Sequence, residues 1–487
     1  MVKRLSLRTP LVAGLLFAAA ASRAGAAAPG SQRVESFVLD QLSAKGRINV
    51  FVMMATEADL RSAESVRGRV ARRQFVHDAL TNHATRSQKA IRAYLDRRGI
   101  QYHPFWINNS VYLYNVDRDL VEKLAGRADV AYVRGDHALP LVEPVKVVVS
   151  PDATDAIEWN ITKVNADKVW ATGNTGQGIV VANNDTGVRY THEDLVQQYR
   201  GNNGGGSFSH DYNWWDPKSG MSGSETNAPV DGIGHGSHTM GTMLGGDGTG
   251  PLTNDIGVAP GAKWIAAKGC QTNSCSDFDL DSAAEWLTCP TKLDGTSPDC
   301  SKAPDIINNS WGGGGGDPFY QSQVNAWIAA GIIPVFSAGN SGPSCNSMGS
   351  PGDYKNTISA AATNISDVLA FFSSRGPGVF RKQKPDLSAP GDNVRSAWNT
   401  GDNVYAFLSG TSMAAPHVSG TIALMLHANP AAQILDLYKA LRTTTVRTLG
   451  NPPDPDVCGG KSYNVYPNYI YGWGRIDAEA AVNAIAP

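Results

Sequence analysis

The sequence predicts an α/β protein: a mainly parallel central sheet flanked by helices, preceded by a smaller α/β unit. Three observations predict it. Beyond about residue 155, continuous apolar runs of strand length alternate with helical patterns, as in a parallel sheet buried on both faces. Before residue 140, a shorter set of strands accompanies one long basic stretch. The charge divides at the same place: residues 1–150 carry 22 Lys and Arg against 13 Asp and Glu, and residues 151–487 carry 20 against 31. All six cysteines fall in the second part. A hydrophobic fraction of 42% is ample for a core and excludes wholesale disorder. Charged residues at 18% and 51 glycines argue for a loop-rich globular body rather than a coiled coil. The net charge of −2 carries no global nucleic-acid footprint.

Residues 1–26 read as an export signal. Lys3, Arg4 and Arg8 precede an apolar run at 11–21, and Ala24-Gly25-Ala26 offers small residues for cleavage. The run is too short to cross a hydrocarbon core of about 30 Å, and no later stretch is apolar for 18 residues or more. The second unit spans 27–150. Strands are expected at 47–54, 110–116 and 130–133, a long basic helical stretch at 67–97, and a short helix at 119–125. His77, His83, His103 and His137 lack metal-ligand spacing and read as solvated positions. Pro140, Pro144 and Pro151 mark 140–155 as a linker. In the third unit, 151–487, strands are expected at 178–182, 264–268, 305–308, 332–336 and 357–361. Helices are expected at 279–287, 321–330 and 412–427. The Gly-rich runs 201–206 and 312–316 lack a following Gly-Lys-Ser/Thr and read as loops, not phosphate cradles. No internal repeat is evident.

Export makes disulfides plausible. Six cysteines allow 15 pairings. The short separations favour Cys270–Cys275 and Cys289–Cys300, leaving Cys345–Cys458. No Cys-x-x-Cys pair or suitably spaced His supports zinc.

Acyl transfer to a hydroxyl needs a nucleophile, a base, a group that orients the base, and donors aimed at the developing oxyanion. Four local signatures could supply them. Asp185 follows an apolar strand, where α/β folds place functional groups. His235 is flanked by glycines in 232–239, which lets another backbone approach. Asn340 follows the strand at 332–336 and offers an amide donor. Ser412 opens an apolar helix, whose N-terminus presents free N–H groups. Each also has a plain reading as a turn or cap residue. Gly-x-Ser-x-Gly is excluded at Ser412 because Ala414 stands in place of the second Gly.

Taken together, in the order Asp, His, Asn, Ser, these motifs resemble the subtilisin-like serine peptidases, the subtilases. The resemblance extends to 309–313, 371–377 and 384–391 and covers nearly all of 151–487; Trp159-Asn160 and the large insertions look like the bacillopeptidase F branch. It implies a subtilisin-like fold and a secreted serine endopeptidase. Ser412 would be the nucleophile, His235 the general base and acid, and Asp185 its orienting partner, with Asn340 and the Ser412 N–H as the oxyanion donors. Ser310, Trp311 and Gly312 would pair with extended substrate, Ser337, Ala338 and Gly339 would form the opposite wall, and Gly349 the pocket floor. With no acid among them, the resemblance implies broad specificity leaning to apolar or aromatic side chains. Residues 27–150 resemble the family's inhibitory propeptide, a partner that self-cleavage in 140–155 would release. The expected partners are therefore polypeptide substrates and the propeptide, with no nucleic acid, no membrane span and a monomeric state.

Three departures stand out. Asn183 and Asn184 replace apolar residues before Asp185, and two amides in a buried strand need partners. Ser237 replaces a Thr, with little effect expected. Asp194 matches a carboxylate of the family's structural calcium site, but the second ligand loop is not recognisable in 245–254; the chemistry itself needs no cofactor. Asp277, Asp279 and Asp281 read as a helix start with exposed acids rather than a calcium loop. The competing readings are an inert subtilase fold used for binding, and a serine-carboxyl peptidase with a Glu base, against which His235 in its full motif argues.

Overall fold

A computed structural model describes residues 33–141, 146–150, 156–217, 223–246, 255–379 and 382–486. The expected export signal lies outside them. Seven parallel strands form the central sheet, in the order Trp214–Trp215, Lys263–Ala267, Val180–Asn184, Ile306–Asn309, Ile333–Ser337, Ile358–Thr363, Leu387–Pro390. Nearly every residue of the inner strands is buried, which is why they read as apolar runs without alternation. From Val180–Asn184 the chain goes first to Trp214–Trp215 and Lys263–Ala267 on one side, then crosses to Ile306–Asn309 on the other. Doubly wound sheets bind ligands at such a reversal, beyond the C-terminal strand ends.

One face is covered by the helix Thr411–Ala428, with His235–Leu244 alongside. The other face carries Asp277–Thr288 and Gln321–Ala329. The N-terminal unit has an antiparallel four-stranded sheet, ordered Tyr102–Phe105, Ser110–Asp117, Arg47–Met54, Val130–Gly135. Its own core lies between this sheet and helices that include Ser36–Lys45 and Arg118–Ala125. The basic stretch at 67–97 forms two helices, Arg69–Ser87 and Lys89–Asp96.

The two units share a core. Phe51, Phe105 and Tyr112 of the first pack with Phe278 and Phe319 of the second. Basic groups of the first meet acids of the second: Arg73 to Asp305 at 2.9 Å, and Arg134 to Asp317 at 2.8 Å and Asp277 at 3.2 Å. Arg72 donates to the Ile328 and Ala329 carbonyls at the C-terminus of Gln321–Ala329, where a cation complements the helix dipole.

This interface corrects one expectation. Asp277–Thr288 is a helix, capped by Ser276, but Asp277 and Asp281 are buried rather than exposed. They sit with Glu285 on the stripe that meets the N-terminal unit. Glu285 accepts from the Trp106 and Ile107 N–H groups, and Asn108 donates to Asp281. The histidines are also less solvated than expected. His103 packs tilted against Phe105 and edge-on to Phe278, His137 bonds Glu35, and burial pushes His103 down to about 4.

The stretch 140–155 is not merely a linker. Ala138–Pro140 pairs antiparallel with Ser274–Ser276, and Leu141 lies opposite Trp311. After 142–145, Lys146–Ser150 pairs with Tyr405–Ser409. All three disulfides form as the spacing favours: Cys270–Cys275, Cys289–Cys300 and Cys345–Cys458.

Candidate active site

Asp185, His235, Asn340 and Ser412 come from four separate elements. Asp185 follows Val180–Asn184, and its Oδ1 accepts from the Thr186 N–H and lies 2.7 Å from His235 Nδ1. Both side chains are buried. An Nδ1 proton directed at the carboxylate leaves Nε2 as the acceptor, and Nε2 has no hydrogen-bond partner among the described residues. His235 is the first residue of its helix. The preceding loop is held by Asp231, which accepts from Ile233, Gly234 and Ser237 N–H and from the Thr186 hydroxyl (2.9 Å). One carboxylate thus ties the His235 turn to the residue after Asp185. His238, by contrast, bonds the Val394 and Ala406 carbonyls, and burial pushes it down to about 3.

Ser412 is the second residue of Thr411–Ala428, so its N–H is among those that the helix's own carbonyls cannot reach. Pro416 has no N–H for the Ser412 carbonyl four residues back. Ser310 Oγ donates to that carbonyl instead at 3.0 Å, while Ser412 Oγ donates to the Ser310 carbonyl at 3.2 Å. Asn340 Oδ1 accepts from both the N–H and the hydroxyl of Thr411, each at 2.9 Å. That grip turns the Nδ2 donor away from Thr411.

Beside Asn340 lies a cleft, a cavity of about 1290 Å³. Gly312 and Gly313 form one edge, Ser337 and Gly339 the other, and Gly349 lies between them. Ala338 contributes through its backbone: its carbonyl accepts the Gly349 N–H at 3.2 Å. Trp311 turns its ring into the core beside Tyr320 and Phe336, leaving its backbone to the cleft. A Cβ at Gly349 would sit 2.6 Å from the Gly313 carbonyl, so any side chain would close the floor. Leu139, Pro140 and Leu141 line this cavity from the N-terminal unit.

The subtilase family pattern matches residues 176–474. The chain belongs to the subtilase family, the subtilisin-like serine peptidases. It is 35% identical over 456 residues to bacillopeptidase F of Bacillus subtilis, an alignment that covers 88% of this chain and 30% of that protein. It therefore spans under a third of that relative's length. It is 31% identical to subtilisin DY of Bacillus licheniformis, over 67% of this chain and 98% of the relative, and 29% identical to subtilisin E of Bacillus subtilis, over 75% and 79%.

Within this subtilase, Asn183 is fully partnered. Its Nδ2 donates to the Gly236 carbonyl (3.0 Å) and Thr239 Oγ1 (2.7 Å), and its Oδ1 accepts from Asn308 Nδ2 (3.1 Å). Asn308 reaches Ser310 Oγ at 3.0 Å and accepts from Ser419 at 3.2 Å. Asn184 is buried with no side-chain hydrogen bond among the described residues. Ser237 does what a Thr hydroxyl would: it donates to Asp231 and accepts from the Arg189 N–H.

Asp194 is buried, and burial, with Glu193 and Asp255 nearby, pushes its carboxyl up to about 7 against the opposing pull of Tyr405 and Arg395. The Gly246 N–H bonds the Asp194 carbonyl, so the 245–246 turn abuts this acid, and the Asp255 carboxylate packs against Gly246. Two buried carboxylates beside a turn suit a hard cation with oxygen ligands. The His/Cys group His77, Cys289 and Cys300 does not suit a metal, because its two sulfurs share a disulfide.

Sequence reasoning missed Asp231, Thr411 and Asn308. Asp231 had a readable signal, an acid just before a helix start. Thr411 and Asn308 act through contacts that only folding creates.

Proposed function

We propose that this subtilase is a secreted serine endopeptidase made as a self-processing zymogen. The observation that carries the reading is the buried Asp185–His235 pair at the end of one sheet strand, with Asn340, after a neighbouring strand, bonded to the start of the Ser412 helix.

In the proposed reaction, Ser412 Oγ attacks the scissile carbonyl while His235 Nε2 takes its proton. Asp185 holds the imidazole tautomer and stabilises the imidazolium. The tetrahedral oxyanion accepts from the Ser412 N–H and from Asn340 Nδ2. As the intermediate collapses, the C–N bond breaks, and His235 gives the proton to the leaving amine. Water repeats the sequence on the acyl-enzyme and frees Ser412. Extended substrate lies along Ser310, Trp311 and Gly312, and its primary side chain enters between Ser337-Ala338-Gly339 and Gly349. The neutral walls support a preference for apolar or aromatic side chains.

The zymogen reading is supported by two flanking pairings. Chain 138–141 follows the cleft on one side, and 146–150 pairs with the strand leading to Ser412 on the other. The cut is proposed within 142–145, with the N-terminal unit as an inhibitor that also assists folding. Export is proposed on the 1–26 signal, a monomer as the working state, and calcium as a structural ligand at Asp194. Within the described residues, no helix is long and apolar enough to cross a membrane. Casein hydrolysis by the secreted chain, abolished by diisopropyl fluorophosphate with its mass added at Ser412, tests the activity. Hydrolysis that survives full labelling would overturn it.

A further inference from the structure

The cleft does not end at the Gly349 floor. The same cavity continues past Pro377 and Val379 to Gly459 and Tyr469. These last two belong to residues 447–470, the segment between the helix Ile434–Thr443 and the buried Tyr471.

That segment is fastened to the pocket floor at several points. Cys458 is bonded to Cys345, four residues before Gly349. The Ser347 and Asn346 N–H groups donate to the Arg375 and Gly376 carbonyls (2.9 and 3.1 Å), and the Gly376 N–H donates to the Tyr469 carbonyl (2.8 Å). Arg375 reaches the Pro455 carbonyl. Gly459 packs closely against the Tyr469 ring: a Cβ there would sit 2.7 Å from the ring and 3.2 Å from Pro377. Lys461 covers part of the same ring, with Nζ 4.8 Å from its centre. The floor segment 345–349, the 375–378 turn and the Tyr469 ring are thus one braced assembly. Among its described residues, the cavity is lined by no Asp, Glu, Lys, Arg or His.

We propose that Tyr469 is a specificity-determining residue: its ring forms the far wall of the primary pocket and favours large, uncharged aromatic side chains there. The proposal rests on the peptidase reading. A side chain that passes Gly349 meets a ring rather than solvent. A ring-on-ring contact of this kind discriminates by about 2–10-fold beyond its area burial. The Cys345–Cys458 bond holds the wall against the floor.

The test uses the secreted, self-processed full chain and tetrapeptide p-nitroanilides with Phe, Leu, Ala or Lys at the cleaved position. Tyr469→Ala lowers the Phe/Ala ratio of kcat/KM by about 5–10-fold. Tyr469→Phe retains the ratio, and Cys345→Ser with Cys458→Ser lowers it in the same direction. Diisopropyl fluorophosphate is small enough to ignore the far wall, so its unchanged labelling rate reports an intact Ser412 site in each variant. Tyr469→Leu serves if the Ala variant does not fold. A Phe/Ala ratio unchanged in Tyr469→Ala or Tyr469→Leu, with the other substrates cleaved as before, overturns the inference alone. A wild type that cleaves none of the four overturns the peptidase reading with it.

Discussion

Asn308 donates from Nδ2 to Asn183 Oδ1 across 3.1 Å, joining two adjacent strands whose ends carry Asp185 and Ser310. Through Asn183 the link reaches Gly236 and Thr239 on the His235 helix, and through Ser310 the Ser412 carbonyl. One buried polar chain therefore touches the segments bearing all three candidate reacting groups.

Replacing Asn183 by Leu removes these bonds at similar bulk and takes one of its acceptors from the buried Asn308 amide, at a cost of about 1–3 kcal/mol of stability. Steady-state kinetics should show kcat down by about tenfold with KM nearly unchanged, because alignment and not substrate contact is lost. A lowered melting temperature with unchanged kcat would make the network purely structural.

Asn340→Leu keeps the volume but removes the donor. Its kcat on casein or a p-nitroanilide should fall by about 10²–10³, the scale usual for one lost oxyanion donor in a subtilisin. Thr411→Val should fall less, since it frees Asn340 from one of its two bonds to Thr411 while leaving the donor in place.

The carboxylate stripe under the N-terminal unit makes its retention pH-dependent. In the joined state, burial raises Asp277 to about 6 and Glu285 to about 8, and raises Asp281 as well. Arg134 and the Tyr320 hydroxyl oppose the rise at Asp277, and Gln323 and Asn108 oppose it at Asp281. Separation would return all three to solvent and to ordinary carboxylate values near 4. The joined state therefore binds more protons. Its affinity is highest below about pH 4 to 5 and falls as pH rises through 6 to 8. Titrating separately produced 27–141 against the mature domain should show a dissociation constant that rises across that range. Glu285→Gln should flatten the rise.

Removing divalent cations tests the Asp194 site. With calcium bound there, EDTA should lower the melting temperature by several degrees, and Asp194→Asn should abolish the difference. A melting temperature indifferent to EDTA would mean that Tyr405 and Arg395 balance the carboxylates without a cation.

Much of this was legible in the sequence. Five of the seven central strands were visible because both faces are buried, so apolar runs mark them within a few residues; Leu387–Pro390, short and ending in a proline, was not. The short edge strand Trp214–Trp215 and the pairings of 138–140 and 146–150 were not, because prolines and polar residues there look like linker. Asp185 and His235, 50 positions apart, were readable from their glycine-flanked motifs. The Asn183 amide looked like a burial problem, and its solution lay 125 residues away at Asn308. The acids at 277–281 looked solvated because the surface that covers them belongs to a separate, basic unit.

The most direct measurement is the intact mass of the secreted chain beside that of Ser412→Ala. Wild type should lose everything up to a cut within 142–145 and hydrolyse casein, while Ser412→Ala stays joined to its N-terminal unit and inert. A Ser412→Ala chain trimmed at the same bond, in a host lacking other proteases, or a wild type that stays whole and inactive, would contradict the account.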